Sequence, residues 1–213
     1  MDLDRSERNE IAKAIVAILQ EEAPGSVTEL HGSLAEGKAD SYSDIDLLWE
    51  VRDEDFTALC YGLEETLSRV RAIASLRFDI KTQRSTKHRR AFVRFSGLPL
   101  FWWVDLEIFA RSIRCERHFD EDNPLARGAE WSYTHSALMC AVAAIKAQLR
   151  GRGSTALELV SSGFQKIAVP VTGANAWERI EALVDAVYDA DDAQALLAAE
   201  VKSLLLQASA VRR

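Results

Sequence analysis

A chain of 213 residues, of which 48% are hydrophobic, can bury the core of one domain, or of one domain with an appendage. Its net charge of −7 disfavours a nucleic-acid-binding protein, which needs a cationic track for phosphates. No apolar run reaches the roughly 20 residues of a membrane-spanning helix. The three scattered cysteines are typical of reduced thiols, and the first residues lack the pattern of a signal peptide, so we expect a cytoplasmic protein without membrane attachment.

The first half of the chain predicts alternating helices and strands. Asp4 is placed to cap a first helix, whose apolar stripe includes Ile15 and Leu19, and Pro24-Gly25 ends this helix. Apolar periodicity then predicts another helix at 53–70. Strands are predicted at 27–31, 44–51, 73–82, 91–95 and 100–109, the last two as a hairpin that turns at Ser96-Gly97.

The second half predicts helices alone. A polar connector over 116–128 precedes apolar patterns that indicate helices at 131–150, 155–168, 175–190 and 192–210. We therefore expect an α/β (α+β) fold in which a mixed sheet with helices is followed by a C-terminal α-helical domain. The predicted domains are 1–120 and 121–213.

A turn of small residues follows the first predicted strand. Gly32 has no Cβ, so its backbone can adopt a positive φ and approach a ligand closely. Ser33 is a plausible N-cap for a short helix over 34–36. The exposed amides at such a helix start favour a phosphate, although most Gly-Ser pairs are ordinary turns.

Two acids follow this turn with one residue between them. On a strand, Asp44 and Asp46 would point to the same face while Ile45 and Leu47 enter the core. Adjacent carboxylates repel each other, and a hard divalent cation is a common reason for holding them together. The alternative is that the two acids lie at a solvent-exposed edge of the sheet, where charges discourage aggregation. The nearby phosphate turn favours a metal site.

A third acid is predicted from the strand at 100–109. Asp105 and Glu107 alternate there with apolar residues, and a carboxylate in such a strand is costly unless it is paired or bound to metal. Asp105 is our first candidate for the third metal ligand, ahead of Glu107. Glu107 is a candidate general base, a supporting partner, or the solvent end of the strand, and Asp79 is an alternative third ligand.

The stretch from Gly32-Ser33 to Ser43-Asp44-Ile45-Asp46-Leu47 resembles the signature of the nucleotidyltransferase superfamily, which includes DNA polymerase beta, poly(A) polymerases and small antibiotic-modifying enzymes. The resemblance implies two Mg²⁺ ions and ATP or another nucleoside triphosphate as co-substrate. It implies metal binding by Asp44, Asp46 and, on a later strand, Asp105. It also implies nucleotide binding by Gly32, Ser33 and Ser43, and by Lys146 of the helical half.

The resemblance leaves the acceptor open. The layout is similar to lincosamide and aminoglycoside nucleotidyltransferases, which implies transfer of AMP to a hydroxyl of a small molecule, such as an antibiotic. The alternative is a regulatory or antitoxin-type nucleotidyltransferase that binds or AMPylates a protein partner. The basic cluster at 81–90 is read as a solvated loop rather than a nucleic-acid site, although it could also reach the triphosphate, so nucleic acid is not the expected acceptor.

Overall fold

The structure of the protein is a computed structural model in which residues 3–191 and 194–210 are described. The chain divides into two compact units, Leu3–Trp131 and the described residues from Ser132 onward. The predicted assignment of two domains, 1–120 and 121–213, stays a prediction. Each unit is described by itself below.

Helices and strands alternate in the first unit. The first helix, α1, begins after Asp4, whose carboxylate accepts a hydrogen bond from the amide of Ser6 at 2.8 Å, as predicted for the N-cap. The elements are α1 (Arg5–Glu22), β1 (Val27–His31), α2 (Gly32–Ala35), β2 (Ile45–Val51), α3 (Asp53–Ser68), β3 (Ile73–Phe78), β4 (His88–Phe95) and β5 (Val104–Ala110).

The five strands form one mixed sheet in the order β1-β2-β5-β4-β3. The β2–β5 pair is parallel, and the other three pairs are antiparallel, including the predicted β4–β5 hairpin. The last strand in the sequence is therefore inserted between β2 and β4. This order makes the two strands that carry the predicted acids direct neighbours.

One face of the sheet is covered by α1 and α3. Alternate residues of β2 and β5, including Leu47, Trp49 and Leu106, are buried there against Ile15 and Phe56. Because successive side chains of a strand point to opposite faces, the residues between them lie on the other, polar face. The apolar pattern of the two strands thus places their acids on the polar face.

Strand β4 begins earlier than predicted, at His88 instead of residue 91. Reading the basic cluster as a solvated loop is wrong for its last three residues, and His88 and Arg89 are buried. The Nε of Arg89 donates to the carbonyl of Ser85 at 2.8 Å, and its guanidinium lies over the rings of three aromatic residues. These contacts compensate the buried charge. The rings belong to Phe56, Tyr61 and Phe78.

Other strand bounds also differ from the predictions. Strand β2 begins at Ile45, so Asp44 lies just before the strand. Strand β3 ends at Phe78, because the side chain of Asp79 accepts the amide of Lys81 at 2.9 Å and starts a turn. The segment predicted as one strand at 100–109 begins as a short 3₁₀ turn, Leu100–Trp102, after Pro99, and only then enters β5.

The second unit is helical, as predicted, with α4 (Tyr133–Leu149), α5 (Gly153–Lys166), α6 (Ala176–Ala190) and α7 (Ala195–Ala210). Gly163 lets α5 and α6 pack closely, since a Cβ there would lie 2.4 Å from Cδ2 of Leu183. The α/β unit and this helical unit together confirm the predicted fold class. Within the described residues, every helix is too short or too polar to cross a membrane.

Candidate active site

The polar face of the sheet is organised in rows of residues that lie side by side on neighbouring strands. One row contains His31 of β1, Asp46 of β2, Asp105 of β5 and Phe92 of β4. Neighbouring strands lie about 4.8 Å apart, so two acids that are distant in sequence become close neighbours in space. Without a cation between them, their carboxylates would repel each other.

Gly32 lies directly beside Asp46. It has a φ of +60°, and a Cβ built on it would lie 2.3 Å from the carboxylate oxygen Oδ2 of Asp46. Glycine is thus needed for two reasons, the left-handed backbone and the space that the carboxylate occupies. The sequence predicted the close approach of a phosphate at this glycine but not that of Asp46.

The helix α2 begins at Gly32, so His31 and not Ser33 is its N-cap residue. The predicted cap role of Ser33 is therefore wrong. Ser33 lies in the first turn of α2, beside Gly32. The assignment of Gly32 and Ser33 to the nucleotide stays a prediction.

Arg8 of α1 anchors the loop at 36–44, which leads to Asp44 and β2. Its side chain is 1% exposed and donates to the backbone carbonyl of Asp40 and, at 3.3 Å, to that of Ser43. This buried guanidinium holds the backbone next to Asp44. Sequence reasoning missed Arg8, although it falls on the buried stripe of α1, four residues before Ala12.

Ser43 and Trp102 fix the same loop. The hydroxyl of Ser43 is buried and donates to Oδ1 of Asp40 at 3.0 Å, while Nε1 of Trp102 donates to the carbonyl of Ser41 at 2.9 Å. This placement gives Ser43 a role in positioning Asp44. It disfavours direct contact of the hydroxyl with nucleotide, and that predicted contact stays a prediction.

Arg90 of β4 binds Asp105 with both ends of its guanidinium. The Nε and Nη2 groups donate to the two carboxylate oxygens at 2.7 and 2.5 Å, and the Asp105 side chain is only 13% exposed. These hydrogen bonds raise the pKa of Arg90. A cation that used both oxygens of Asp105 would have to displace this guanidinium.

We therefore expect Arg90→Met to strengthen Mg²⁺ binding by about tenfold, because the variant removes the competing cation from Asp105. The unliganded protein should lose about 1 kcal/mol of stability, since Arg90 is 43% exposed and solvent screens the pair. Thermal unfolding at increasing MgCl₂ concentrations would measure both effects. Arg84→Met, which removes an exposed arginine, is the control, and equal Mg²⁺ affinities in both variants would contradict this role of Arg90.

Glu107 lies two residues after Asp105 on the same face of β5. Its side chain is 14% exposed, and its Oε2 makes no hydrogen bond, although the Nε of Arg117 lies 3.5 Å away. Asp79 is the alternative third ligand. Its backbone amide donates to the carbonyl of Arg90, at the edge of β4 that faces β3 and not β5. The strand order thus places Asp105, and not Asp79, beside Asp46.

Lys146 belongs to the second unit, where it is 9% exposed on α4. Its predicted contact with nucleotide stays a prediction. A cavity of about 870 Å³ lies in this unit, between residues of α5, α6 and α7, and its walls include none of the predicted site residues.

The donor set of the first unit fits a hard cation, because carboxylate oxygens are the ligands that Mg²⁺ prefers. The space that Gly32 leaves at Asp46 and the neighbouring position of Asp105 also fit this role. Among the described residues, however, no three His, Cys, Asp or Glu side chains are already arranged to hold a metal ion. Both carboxylate oxygens of Asp105 accept hydrogen bonds from Arg90 in this structure.

The family comparison agrees with this geometry. Residues 12–97 match the family model described as nucleotidyltransferase domain, and this segment contains Gly32, Asp44 and Asp46. This segment therefore resembles a nucleotidyltransferase domain, in agreement with the predicted resemblance and enzyme class. Asp105 lies outside the matched segment. No curated protein matched the chain.

Among solved structures, the chain is similar to a cytoplasmic RNA terminal U-transferase, with 17% identity, coverage of 84% of this chain and 47% of that chain, and a TM-score of 0.38. The Cid1 RNA terminal uridylyl transferase has 15% identity, coverages of 86% and 48%, and a TM-score of 0.41. The GLD-2/RNP-8 complex has 13% identity, coverages of 87% and 77%, and a TM-score of 0.39. The chain thus spans about half the length of the two uridylyl transferases.

Proposed function

We propose that the protein is a metal-dependent nucleotidyltransferase that moves AMP from ATP to a hydroxyl of a small molecule and releases pyrophosphate. The observation that carries this proposal is the position of Asp46 beside Asp105, with Gly32 packed against the Asp46 carboxylate. Asp46 and Gly32 lie in the segment that matches the nucleotidyltransferase domain. In this proposal, Asp46, Asp105 and Gly32 form the part of the site that would bind the metal ions and the phosphates.

Each residue has a distinct task in this proposal. Asp44, Asp46 and Asp105 would hold two Mg²⁺ ions, and the amides of Gly32 and Ser33 would bind the β- and γ-phosphates. When bound, the ions would lower the pKa of the acceptor hydroxyl and neutralise charge on the leaving pyrophosphate. Arg90 would release Asp105 as the site is loaded.

The reaction forms a bond between the acceptor oxygen and the α-phosphorus and breaks the bond from that phosphorus to the β-phosphate oxygen. The hydroxyl proton must leave the acceptor during attack. Glu107 is the candidate general base, since it lies on the same face as Asp105 and its Oε2 makes no hydrogen bond. Pyrophosphate departs with the electrons of the broken bond.

A small acceptor is supported by the charges of the first unit. The basic cluster does not form a phosphate track, because His88 and Arg89 are buried and Arg90 pairs with Asp105. The net charge of −7 would repel a polyanion. An antibiotic belongs to the acceptor class proposed here, and AMPylation of a protein partner is the alternative. The free thiols support a cytoplasmic location.

The test is pyrophosphate release from each of the four nucleoside triphosphates with Mg²⁺, with and without a panel of aminoglycosides, lincosamides and neutral sugars. We expect release that depends on ATP and on one acceptor class, and that is lost in Asp44→Ala. A short RNA and a lysate fraction of proteins are the competing acceptors. Release that requires either of them, or that persists in Asp44→Ala, would contradict the proposal.

A further inference from the structure

A polar cavity of about 320 Å³ lies beside the row of Asp46 and Asp105, between β4, β5 and the loop at 114–121. Its volume is at the lower end of the range for small-molecule sites. Arg90, which binds Asp105, also lines this cavity. The cavity therefore adjoins the Arg90–Asp105 pair of the proposed active site.

Two buried atoms without hydrogen bonds belong to residues that line this cavity. Nε2 of His88 and Oε2 of Glu107 are 3.9 Å apart, which is too far for a hydrogen bond, and neither has another hydrogen-bond partner. The side chain of His88 is only 4% exposed. Leaving two such atoms without hydrogen bonds is costly, and a ligand in the cavity could supply the hydrogen bonds that the described residues, Arg117 included, do not make.

The missing partner has to be a hydrogen-bond donor. Nδ1 of His88 lies 3.2 Å from the carbonyl oxygen of Phe119, which can only accept, so Nδ1 carries the proton of the neutral ring. Burial lowers the pKa of His88 and favours this neutral ring. Its Nε2 is then an acceptor, as is the carboxylate oxygen of Glu107.

The charges around the cavity favour a neutral ligand. Arg117 already lies 3.5 Å from Oε2 of Glu107, and Lys81 lies 3.4 Å from Glu121. The formal charges of the lining cations and carboxylates balance, so an ammonium group gains no net attraction. The cations are Lys81, Arg90 and Arg117, and the carboxylates are Asp79, Glu107 and Glu121.

We propose that this cavity binds a vicinal diol of a small sugar or polyol, one hydroxyl donating to Nε2 of His88 and its neighbour to Oε2 of Glu107. The two adjacent donors of a diol match the two adjacent acceptors. That this diol belongs to the acceptor of the transfer reaction rests on the proposed function. The binding itself does not, because it requires neither nucleotide nor metal.

The test is a titration with methyl β-ribofuranoside, followed by the ¹⁵N resonances of the histidine rings. The spectrum of the free protein should show His88 protonated on Nδ1 alone. The sugar should shift the Nε2 signal and saturate at about millimolar concentration. The 2-deoxy analogue should bind at least about fivefold more weakly, because one buried acceptor stays unsatisfied. Equal binding of both sugars, or no shift with either, would mean that water fills the cavity and would overturn the proposal.

Two variants and two competing ligands sharpen the test. In Glu107→Gln the new amide can itself donate to Nε2 of His88, so sugar binding should be lost while thermal stability is kept. Glu116→Gln makes the same change on an exposed residue of the loop at 114–121 and should leave binding intact. A shift with methylammonium but not with the sugar would overturn the neutral diol. Binding of an RNA 3′ end alone would overturn the small ligand.

Because the titration contains no ATP or Mg²⁺, it separates this site from the transfer reaction. Sugar binding without any transfer would retain the cavity assignment and remove the proposed function. Transfer without sugar binding would retain the proposed function and remove the cavity assignment.

Discussion

Replacing Asp46 by asparagine is expected to lower the rate of nucleotide transfer by about three orders of magnitude. Asp46 lies between His31 and Asp105 in the central row of the polar face, where a cation would have to be held by both carboxylates. Asparagine keeps the size of the side chain but not its charge. A rate loss of three orders of magnitude corresponds to the loss of about 4 kcal/mol of charge stabilisation in the transition state.

The measurement is pyrophosphate release at saturating ATP, with the free energy of unfolding determined in parallel. Glu50→Gln is the matched control, since Glu50 lies on the same strand and pairs with Arg111 away from the site. It should retain the activity of the unchanged protein. If Asp46→Asn and Glu50→Gln are equally active, Asp46 does not hold the catalytic cation.

Replacing Gly32 by alanine should reduce transfer by about a hundredfold or more. The new Cβ would lie 2.3 Å from Oδ2 of Asp46, so either the turn or the carboxylate has to move. Displacement of a catalytic group by about 1 Å is enough for a loss of this size. The left-handed φ of +60° adds about 1–2 kcal/mol of backbone strain.

Gly37→Ala separates these two effects. Gly37 also has a left-handed backbone, with a φ of +68°, but a Cβ there would have nothing within 4 Å. The control should therefore show a comparable loss of stability in urea unfolding while it retains activity. Equal loss of activity in both variants would show that strain in the loop, and not contact with Asp46, explains the role of Gly32.

Local chemistry made much of the first unit predictable. The cap at Asp4, the strand Val27–His31 and the faces of β2 follow from side-chain preferences and from periodicity within a few residues. The spacing of Asp44 and Asp46, with one residue between them, is also local, and their pairing at a metal site stays a prediction. These features depend on little beyond their own segment, which is why the sequence alone indicates them.

Features that depend on distant contacts were missed or misread. The burial of Arg89 requires the ring of Phe56 from α3, and that of Arg8 requires the carbonyl groups of a loop more than thirty residues away. The pairing of Arg90 with Asp105 depends on the order of the strands. No periodicity along one segment encodes such partners.

The proposed function requires that Asp44, Asp46 and Asp105 together bind the divalent cations that support nucleotide transfer. A titration with Mn²⁺ in the presence of a non-hydrolysable ATP analogue, read by electron paramagnetic resonance, tests it most directly. We expect about two bound ions per chain and the loss of at least one of them in Asp46→Asn. Unchanged binding of Mn²⁺ in that variant would contradict it.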